Sequence, residues 1–313
     1  MKVRQIGEHG WLRAVLPHLA AAARRRDVLV GPGDDAAVLA SAGRPLVLTT
    51  DALREGVHFR SGWAPWPLLG RRAFRANASD LAAMGAVPRA ALLALDVPPA
   101  MPVRALTAFV RGFAADARRH GAALVGGNVS RGARFGATVT LLGTLPGPAV
   151  TRDGARPGDT IFVTGRLGAA AFAVRALRAG RAGRLPLPPV RLRAGVRLAS
   201  LASAMLDVSD GLVQDLGHLC RASHVAARLD LALVPCVPEA VRLGRAGRLV
   251  AATGGEDYEL VFTVPAANLG RLARARLGCA VTPIGVIERG RSVRVVDAGR
   301  AVRVGRVGFD HLR

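Results

Sequence analysis

Ala204-Met205-Leu206-Asp207-Val208-Ser209-Asp210-Gly211 predicts a buried strand that leads directly into a helix. The apolar first half is typical of a strand, and the apolar pattern from Gly211 to Ser223 is typical of a helix. A helix that begins here presents free backbone N–H groups, which suit a nearby phosphate. The three polar side chains of the turn could form a binding site, or Ser209 or Asp210 could only cap the helix.

Other apolar runs bounded by Gly and Pro predict strands at Pro45–Thr50, Ala90–Val97, Ala137–Gly143, Thr160–Thr164 and Leu260–Val264. Helical patterns lie between these runs. Leu69 to Gly85 predicts a helix that carries Asp80. A second helix is indicated by apolar residues that step by three and four and so share one face, at Val103, Leu106, Val110, Phe113 and Ala117.

The chain is long enough for two domains, since it has 313 residues. Leu145-Pro146-Gly147-Pro148 interrupts the regular pattern near the middle. We therefore expect one domain over residues 1–148 and a second over residues 149–313. A Pro- and Arg-rich stretch from Arg181 to Val190 predicts a surface loop between two helices.

The acidic residues are few and clustered. The chain has 44 basic and 22 acidic residues, and half of the acids fall in a few short stretches: Asp34, Asp35, Asp51, Glu55, Asp80, Asp207, Asp210, Asp215, Glu256, Asp257 and Glu259. Solvated surface acids would be scattered. Several segments that each supply carboxylate oxygens are typical of a site with several Mg²⁺ ions that handles polyphosphate.

A net charge of +22 is the main argument for a nucleic-acid-binding protein. The basic residues are almost all Arg and are spread along the chain, and aromatic residues that could stack on bases make up only 4%. A general bias toward Arg explains the charge better. We expect no specific nucleic-acid partner, although a basic binding protein stays open as the alternative from a different class.

The cysteines and the hydropathy of the chain indicate where in the cell the protein is located. Cys220, Cys236 and Cys279 follow no metal or disulfide spacing, which is typical of a reducing compartment. No apolar stretch reaches the ~18 residues that a membrane span needs. The apolar run near the N-terminus is interrupted by charged residues, unlike a signal peptide. We expect a cytoplasmic protein with no membrane partner.

Eight sequence blocks resemble, in order, those of the thiamine-monophosphate kinase family. They are Gly31-Pro32-Gly33-Asp34-Asp35-Ala36-Ala37, Thr49-Thr50-Asp51 with Glu55-Gly56-Val57-His58-Phe59, Asn77-Ala78-Ser79-Asp80, Gly126-Gly127-Asn128, Thr151-Arg152, Asp207-Val208-Ser209-Asp210-Gly211, Gly254-Gly255-Glu256-Asp257-Tyr258-Glu259-Leu260 and Gly308-Phe309-Asp310-His311. Together with the sequence around these blocks, the resemblance covers the chain from about residue 7 to residue 311. One block alone would be a weak signal, but the ordered set is specific.

The resemblance implies a fold and a reaction. The fold is of the α/β class, with two aminoimidazole-ribonucleotide-synthetase-like domains whose mixed sheets are covered by helices. The N-terminal domain is expected to bind ATP and Mg²⁺ and to form a homodimer, and the C-terminal domain to complete the active site. The implied reaction is Mg²⁺-dependent phosphorylation of thiamine phosphate by ATP, giving thiamine diphosphate.

The resemblance also assigns roles to individual residues. Catalysis is assigned to Asp51, Asp207 and Asp210; ATP binding to Gly127, Asn128, Arg152 and Ser209; and substrate binding to His58, Glu256 and Phe309. Ligands of several Mg²⁺ ions would be Asp35, Thr49, Thr50, Asp51, Asp80, Asn128, Asp207 and Asp210. Neither a phosphate loop with its Lys nor a protein-kinase signature is present, so carboxylate-held metals must neutralise the phosphates.

Asn128 departs from the family, which has Asp at this position. An amide oxygen can still bind Mg²⁺, but it brings no negative charge, so one metal would bind more weakly or be held chiefly by ATP. Asp34 is the candidate for a compensating ligand.

Other members of the superfamily are the enzymatic alternatives. Selenophosphate synthetase uses an early Cys or selenocysteine, and here the first Cys is Cys220. The hydrogenase-maturation member needs a C-terminal Cys, and this chain ends in His311-Leu312-Arg313.

Overall fold

We describe a computed structural model of the chain over residues 26–31, 33–305 and 308. The first of its two sheets has the strand order β1-β2-β3-β6-β4-β5. Its strands are Val28–Val30 (β1), Ala37–Leu39 (β2), Leu46–Arg54 (β3), Val87–Val97 (β4), Ala123–Arg131 (β5) and Gly136–Thr144 (β6). Neighbours are antiparallel except β4 and β5, which are parallel. The sheet is therefore mixed, as expected.

Two helices cover one face of this sheet, namely α1 (Trp66–Ala83) and α2 (Val103–Arg119). The burial of β6 alternates along the strand, because successive side chains point to opposite faces. The predicted helix over Leu69 to Gly85 begins earlier, at Trp66, where Pro67 lies in the first turn. Proline is favoured there because its missing N–H has no partner in a helix start.

The second sheet has the order β13-β12-β9-β11-β7-β10-β8 and is also mixed, since only β9 and β12 are parallel. Its strands are Thr160–Thr164 (β7), Ala204–Asp207 (β8), Ala226–Asp230 (β9), Leu260–Val264 (β10), Val281–Glu288 (β11), Val293–Asp297 (β12) and Arg300–Ala301 (β13). Strands β8 and β10 are buried at every position, which explains why they were visible as apolar runs.

Six further helices accompany this sheet in the described part of the chain. They are Ala169–Arg178 (α3), Leu192–Leu198 (α4), Leu212–Ala222 (α5), Pro238–Arg242 (α6), Gly244–Thr253 (α7) and Ala266–Arg274 (α8). The predicted loop over Arg181 to Val190 does lie between two helices, although Leu185 within it is fully buried. No helix in the ranges described has the length and apolar character needed to cross a membrane.

Helix α1 lies between the two sheets. It packs on α2 and β3 of the first unit and on α4 and β8 of the second. One hydrophobic cluster extends across the junction, from Phe74 and Leu81 on α1 to Met205 and Phe262 on the second sheet. This packing brings the C-terminal end of α1, which carries Asp80, beside the end of β8, which carries Asp207.

Candidate active site

Three carboxylates from separate elements meet where the two units join. Asp35 precedes β2, Asp80 lies on α1 and Asp207 ends β8. Each offers an oxygen within 4.8 Å of the others. Oxygen donors of this kind, gathered at such distances, fit a hard divalent cation such as Mg²⁺.

The three carboxylates disfavour one another's charge. Burial, and then the charge of Asp35, raise the pKa of Asp207 to about 8. Burial, and then Asp207 and Asp35, raise the pKa of Asp80 well above its ordinary value. Ser79 favours the ionised form of Asp207, but Asp207 Oδ2 makes no regular hydrogen bond within the described residues. A bound cation would supply the missing positive partner.

Arg152 is the cation that contacts this cluster. Its Nη2 donates to Asp35 Oδ1 at 2.6 Å and its Nε to Asp35 Oδ2 at 3.3 Å, in a two-point ion pair. Asp34 accepts the backbone N–H groups of Asp35 and Arg152, at 2.9 and 3.0 Å. Asp34 therefore ties the turn before β2 to the chain at Arg152, which is a different use from the compensating ligand expected for it.

Strand β3 supplies the next three predicted ligands, Thr49, Thr50 and Asp51. Thr49 Oγ1 donates to Asp80 Oδ2 at 2.5 Å, which links β3 to α1. Thr50 Oγ1 instead donates to the carbonyl of Val139 at 2.9 Å, across to β6. Asp51 accepts the N–H of Ala52 at 2.6 Å and lines the cavity described below.

The turn between β8 and α5 is held by Asp215, a residue for which we predicted no role. One oxygen of Asp215 accepts the N–H groups of Asp210 and Gly211, at 3.1 and 3.0 Å. Gly211 occupies the N-cap position of α5, one residue after Asp210. Asp210, Asp215 and His218 also offer ligand atoms within 4.8 Å of one another.

A cavity of about 580 Å³ opens over the carboxylates, a size typical of small-ligand sites. It is lined by the predicted residues Asp35, Thr49, Thr50, Asp51, His58, Asp80, Ser209, Asp210 and Glu256. Asp207 lies buried below them, beside Asp35 and Asp80.

Hydrogen bonds with nearby backbone atoms fix the positions of His58 and Glu256. His58 Nδ1 accepts the N–H of Arg54 at 2.9 Å, which places the proton of a neutral ring on Nε2. Glu256 has a left-handed backbone with φ of 68° and donates its N–H to Ser209 O at 2.7 Å. A Cβ on the preceding Gly255 would lie 2.4 Å from that same oxygen, so only glycine fits.

Several lining residues had no predicted role, among them Trp63, Tyr258, Arg175 and Arg178. Tyr258 follows Glu256 closely, and its position in that acidic block was a usable signal. Burial, and then the charge of Glu256, raise its pKa well above the ordinary value, so it stays neutral. Trp63 and the two arginines gave no signal, because a single Trp and further Arg residues in an Arg-rich chain do not stand out.

Gly127 and Asn128 lie away from the cavity within one chain. Both are on β5, and across the sheet Asp51 pairs with Val139, then Leu93, then Gly127. Three strand spacings, or about 14 Å, therefore separate Asp51 from Gly127. The remaining prediction, Phe309, lies outside the described residues.

Two family models match the chain, one in each half. The family model for the AIR synthase related protein, N-terminal domain, matches residues 33–147. The model for the C-terminal domain of the same family matches residues 156–298. The thiamine-monophosphate kinase of Escherichia coli K12 is 38% identical over 311 residues, covering 92% of this chain and 93% of that protein.

Solved structures give the same result. The structure named "AaThiL complexed with AMPPCP and TMP" has a TM-score of 0.85 at 30% identity and covers 99% of both chains. Thiamine-monophosphate kinase from Stenotrophomonas maltophilia K279a has a TM-score of 0.76 at 38% identity, covering 92% of this chain and 97% of that one. The two-domain fold expected from the resemblance is thereby confirmed, and the chain belongs to the thiamine-monophosphate kinase family of AIR synthase related proteins.

Proposed function

We propose that this protein transfers the γ-phosphoryl group of ATP to thiamine phosphate, giving thiamine diphosphate and ADP. An oxygen of the acceptor phosphate forms a bond to the γ-phosphorus, and the bond from that phosphorus to the β–γ bridging oxygen breaks. The relatives named above support this activity. The observation that carries it is the meeting of Asp35, Asp80 and Asp207 below a cavity that Asp51, Asp210 and Glu256 also line.

The charge of the reactants explains the carboxylate cluster. Two unit charges ~4 Å apart repel by ~4 kcal/mol at an effective dielectric of ~20, so two phosphates cannot meet without cations between them. Mg²⁺ held by Asp35, Asp51, Asp80, Asp207 and Asp210 would neutralise the phosphates and place them in line.

The two substrates occupy different parts of the cavity in this proposal. Arg152 and Ser209 lie beside the carboxylates and are assigned to ATP. Arg152 would then share its guanidinium between Asp35 and a phosphate, because two of its N–H groups already face Asp35. His58 and Glu256 are assigned to thiamine phosphate, with the carboxylate of Glu256 beside the positive thiazolium ring.

A direct assay tests the proposal. Purified protein is incubated with ATP, MgCl₂ and thiamine phosphate, and thiamine diphosphate and ADP are separated and quantified. We expect the two products in equal amounts, and we expect none after EDTA. ADP without thiamine diphosphate would mean that another acceptor, or water, takes the phosphoryl group. Neither product would contradict the proposed activity.

We also propose that the protein is a homodimer, formed through the exposed apolar side chains of β4 and β5 in the first sheet. Leu92, Val125 and Val129 on β4 and β5 are 47%, 62% and 66% exposed, and such a run of apolar side chains is typical of an interface. Within one chain, Gly127 and Asn128 are too distant from Asp51 for their assigned roles. A second copy packed on these side chains could bring Gly127 and Asn128 to the site. Light scattering after gel filtration should give twice the chain mass, and Val129→Lys should shift it toward the monomer.

A cytoplasmic location is the last part of the proposal. Cys220, Cys236 and Cys279 are free thiols, and burial raises the pKa of Cys220 and Cys236 to about 11. Such thiols are unreactive and need no disulfide partner. Fractionation of the producing cells, followed by an assay of each fraction, tests the location.

A further inference from the structure

Arg72 is a fully buried charge at the edge of the cavity. It lies on α1 and is only 1% exposed. Its Nη1 donates to the carbonyl of Pro186 at 2.6 Å, and its Nη2 lies 3.1 Å from Glu256 Oε2. Both partners come from the C-terminal half of the chain, so one guanidinium joins α1 to two separate loops.

The contact with Glu256 bears on the strained backbone of that residue. A non-glycine residue in the left-handed region is strained by about 1–3 kcal/mol and persists only where its surroundings impose it. The side chain of Glu256 is 22% exposed and reaches from the cavity back to Arg72. Removing one member of a buried ion pair leaves the other without a partner. Arg72 therefore holds the Glu256 carboxylate in one place.

The contact with Pro186 extends to another residue of the cavity wall through the segment 181–190. Arg72 holds this segment at Pro186, and the adjacent Leu185 donates its N–H to the carbonyl of Trp63 at 3.1 Å. Leu185 is completely buried, so this link is packed as well as hydrogen-bonded. Trp63 lines the cavity. Arg72 is thus linked to Trp63 through Pro186 and Leu185, and it contacts Glu256 directly.

Arg75, one turn further along α1, provides the internal comparison. Its Nη1 donates to the carbonyl of Pro188 at 2.7 Å, so it holds the same segment. Its Nε donates to Asp116 Oδ2 at 2.5 Å. Neither Asp116 nor Pro188 lines the cavity. Arg75 therefore anchors segment 181–190 to α1 and α2 without touching a residue of the cavity wall.

We propose that Arg72 is a positioning residue for the acceptor substrate: it fixes Glu256 directly and Trp63 through Leu185 and Pro186. This inference rests on the assignment of Glu256 to thiamine phosphate in the proposed function. The carboxylates that would hold Mg²⁺ and ATP are placed by other contacts, among them Thr49 to Asp80 and Arg152 to Asp35. Loss of Arg72 should therefore affect one substrate and spare the other.

Steady-state kinetics of Arg72→Met and Arg75→Met test this separation. Met keeps much of the length of Arg without its charge or hydrogen bonds. In Arg72→Met we expect the KM for thiamine phosphate to rise at least 10-fold, with the KM for ATP within twofold of wild type. Arg75→Met should lower the melting temperature and leave both KM values within twofold. Equal rises in both KM values, or the same rise in Arg75→Met, would overturn the inference.

A double-mutant cycle with Glu256→Gln shows whether Arg72 acts through Glu256. If it does, Arg72→Met should cost clearly less in kcat/KM for thiamine phosphate when Glu256 is already Gln. Fully additive losses would contradict the direct link. Should Arg72→Met fail to fold, Arg72→Lys keeps the charge but cannot span both partners, and it should show a smaller rise in the same KM.

Hydrogen exchange tests the positioning without any turnover. The amides of Leu185 and Glu256 should exchange faster in Arg72→Met than in Arg75→Met or wild type, because their loops lose the shared anchor. Unchanged exchange at both amides would overturn the inference. If wild type formed no thiamine diphosphate, the proposed function would fail, while the exchange result would still decide the role of Arg72.

Discussion

The cavity has a carboxylate end, formed by Asp35, Asp80 and Asp207, and an acceptor end, formed by Glu256 and Trp63. The two ends compensate their negative charge in different ways. At the carboxylate end, Asp35, Asp80 and Asp207 lie within 4.8 Å of one another, and Arg152 is the cation paired with Asp35. At the acceptor end, the chain provides a buried Arg72 for the Glu256 carboxylate. The first end is therefore left with an excess of negative charge, and the second is balanced by the protein itself.

This difference separates what each end can bind. Excess negative charge with raised pKa values is suited to divalent cations, which replace the protons that the carboxylates would otherwise keep. A balanced carboxylate held by an ion pair with a buried arginine is suited to selecting the shape and charge of an organic group. Substitutions at the carboxylate end should change turnover, and substitutions at the acceptor end should change the choice of substrate.

The largest effect is expected from Asp207→Asn or Asp51→Asn. Each removes a carboxylate assigned to the metals, so turnover should fall at least ~100-fold, or ~2.7 kcal/mol of transition-state stabilisation. Because Asp207 is repelled by its neighbours, Asp207→Asn should not lower the melting temperature of the metal-free protein. Asp297→Asn, on β12 outside the cavity, is the matched control. Near-normal rates in both site variants at saturating Mg²⁺ would contradict the metal assignment.

Glu256→Gln should give the next largest effect. It keeps the shape of the side chain but removes the charge proposed to face the thiazolium ring. We expect the KM for thiamine phosphate to rise about 10-fold, or ~1.4 kcal/mol, with little change in the KM for ATP. Glu239→Gln, an exposed change on α6, controls for the substitution. If the KM for ATP rose instead, Glu256 would belong to the carboxylate end.

Asp257 should make the stability of the fold near the acceptor end depend on pH. It accepts the N–H groups of Gly168 and Ala170 at the start of α3, whose residues Arg175 and Arg178 line the cavity. Burial raises its pKa to about 7 from 3.8. A raised folded pKa gives stability that is complete below pH ~4 and is lost as the pH rises toward ~7.

Thermal unfolding of wild type and Asp257→Asn measures this effect. The variant does not titrate at this position, so the melting temperature of wild type should fall relative to the variant between pH 5 and pH 8. A difference in melting temperature that stays constant over this range would mean that Asp257 is ionised throughout.

The smallest effect is expected from Asn128→Asp, which restores the carboxylate usual in the family. An additional anionic oxygen should lower the half-saturating Mg²⁺ concentration by a few-fold. If a cation site is already satisfied, the added charge would instead repel the triphosphate and raise the KM for ATP. Activity is titrated against Mg²⁺ at fixed ATP, and identical curves would mean that Asn128 contacts neither metal nor nucleotide.

The strands that were predicted well from the sequence are those whose side chains are buried on one face or at every position. Thr160–Thr164 and Leu260–Val264 have the predicted bounds, because an acidic residue precedes each strand (Asp159 and Glu259) and Gly165 or Pro265 follows it. Strand Ala123–Arg131 was not predicted, because nearly all of its residues are exposed. Its strand conformation depends on parallel pairing with β4, a long-range contact that leaves no local pattern.

The acidic residues that line the cavity were singled out in the sequence, whereas the residues that hold the acceptor end were not. Carboxylates are scarce in this chain and recur in short blocks, so their clustering was a signal in itself. Arginine is abundant, and Arg72 could not be distinguished from the 43 other basic residues among the 44 of the chain. Its burial follows only from the way α1 packs between the two sheets.

The sequence by itself therefore determined the family, the α/β elements and the identity of the carboxylates, because local periodicity and residue chemistry are written along the chain. Only the tertiary structure decided which of those carboxylates meet, that Gly127 and Asn128 lie three strands from Asp51, and that one buried arginine joins two walls of the cavity. Those facts depend on contacts between residues far apart in sequence, and their distances are fixed by packing and strand register.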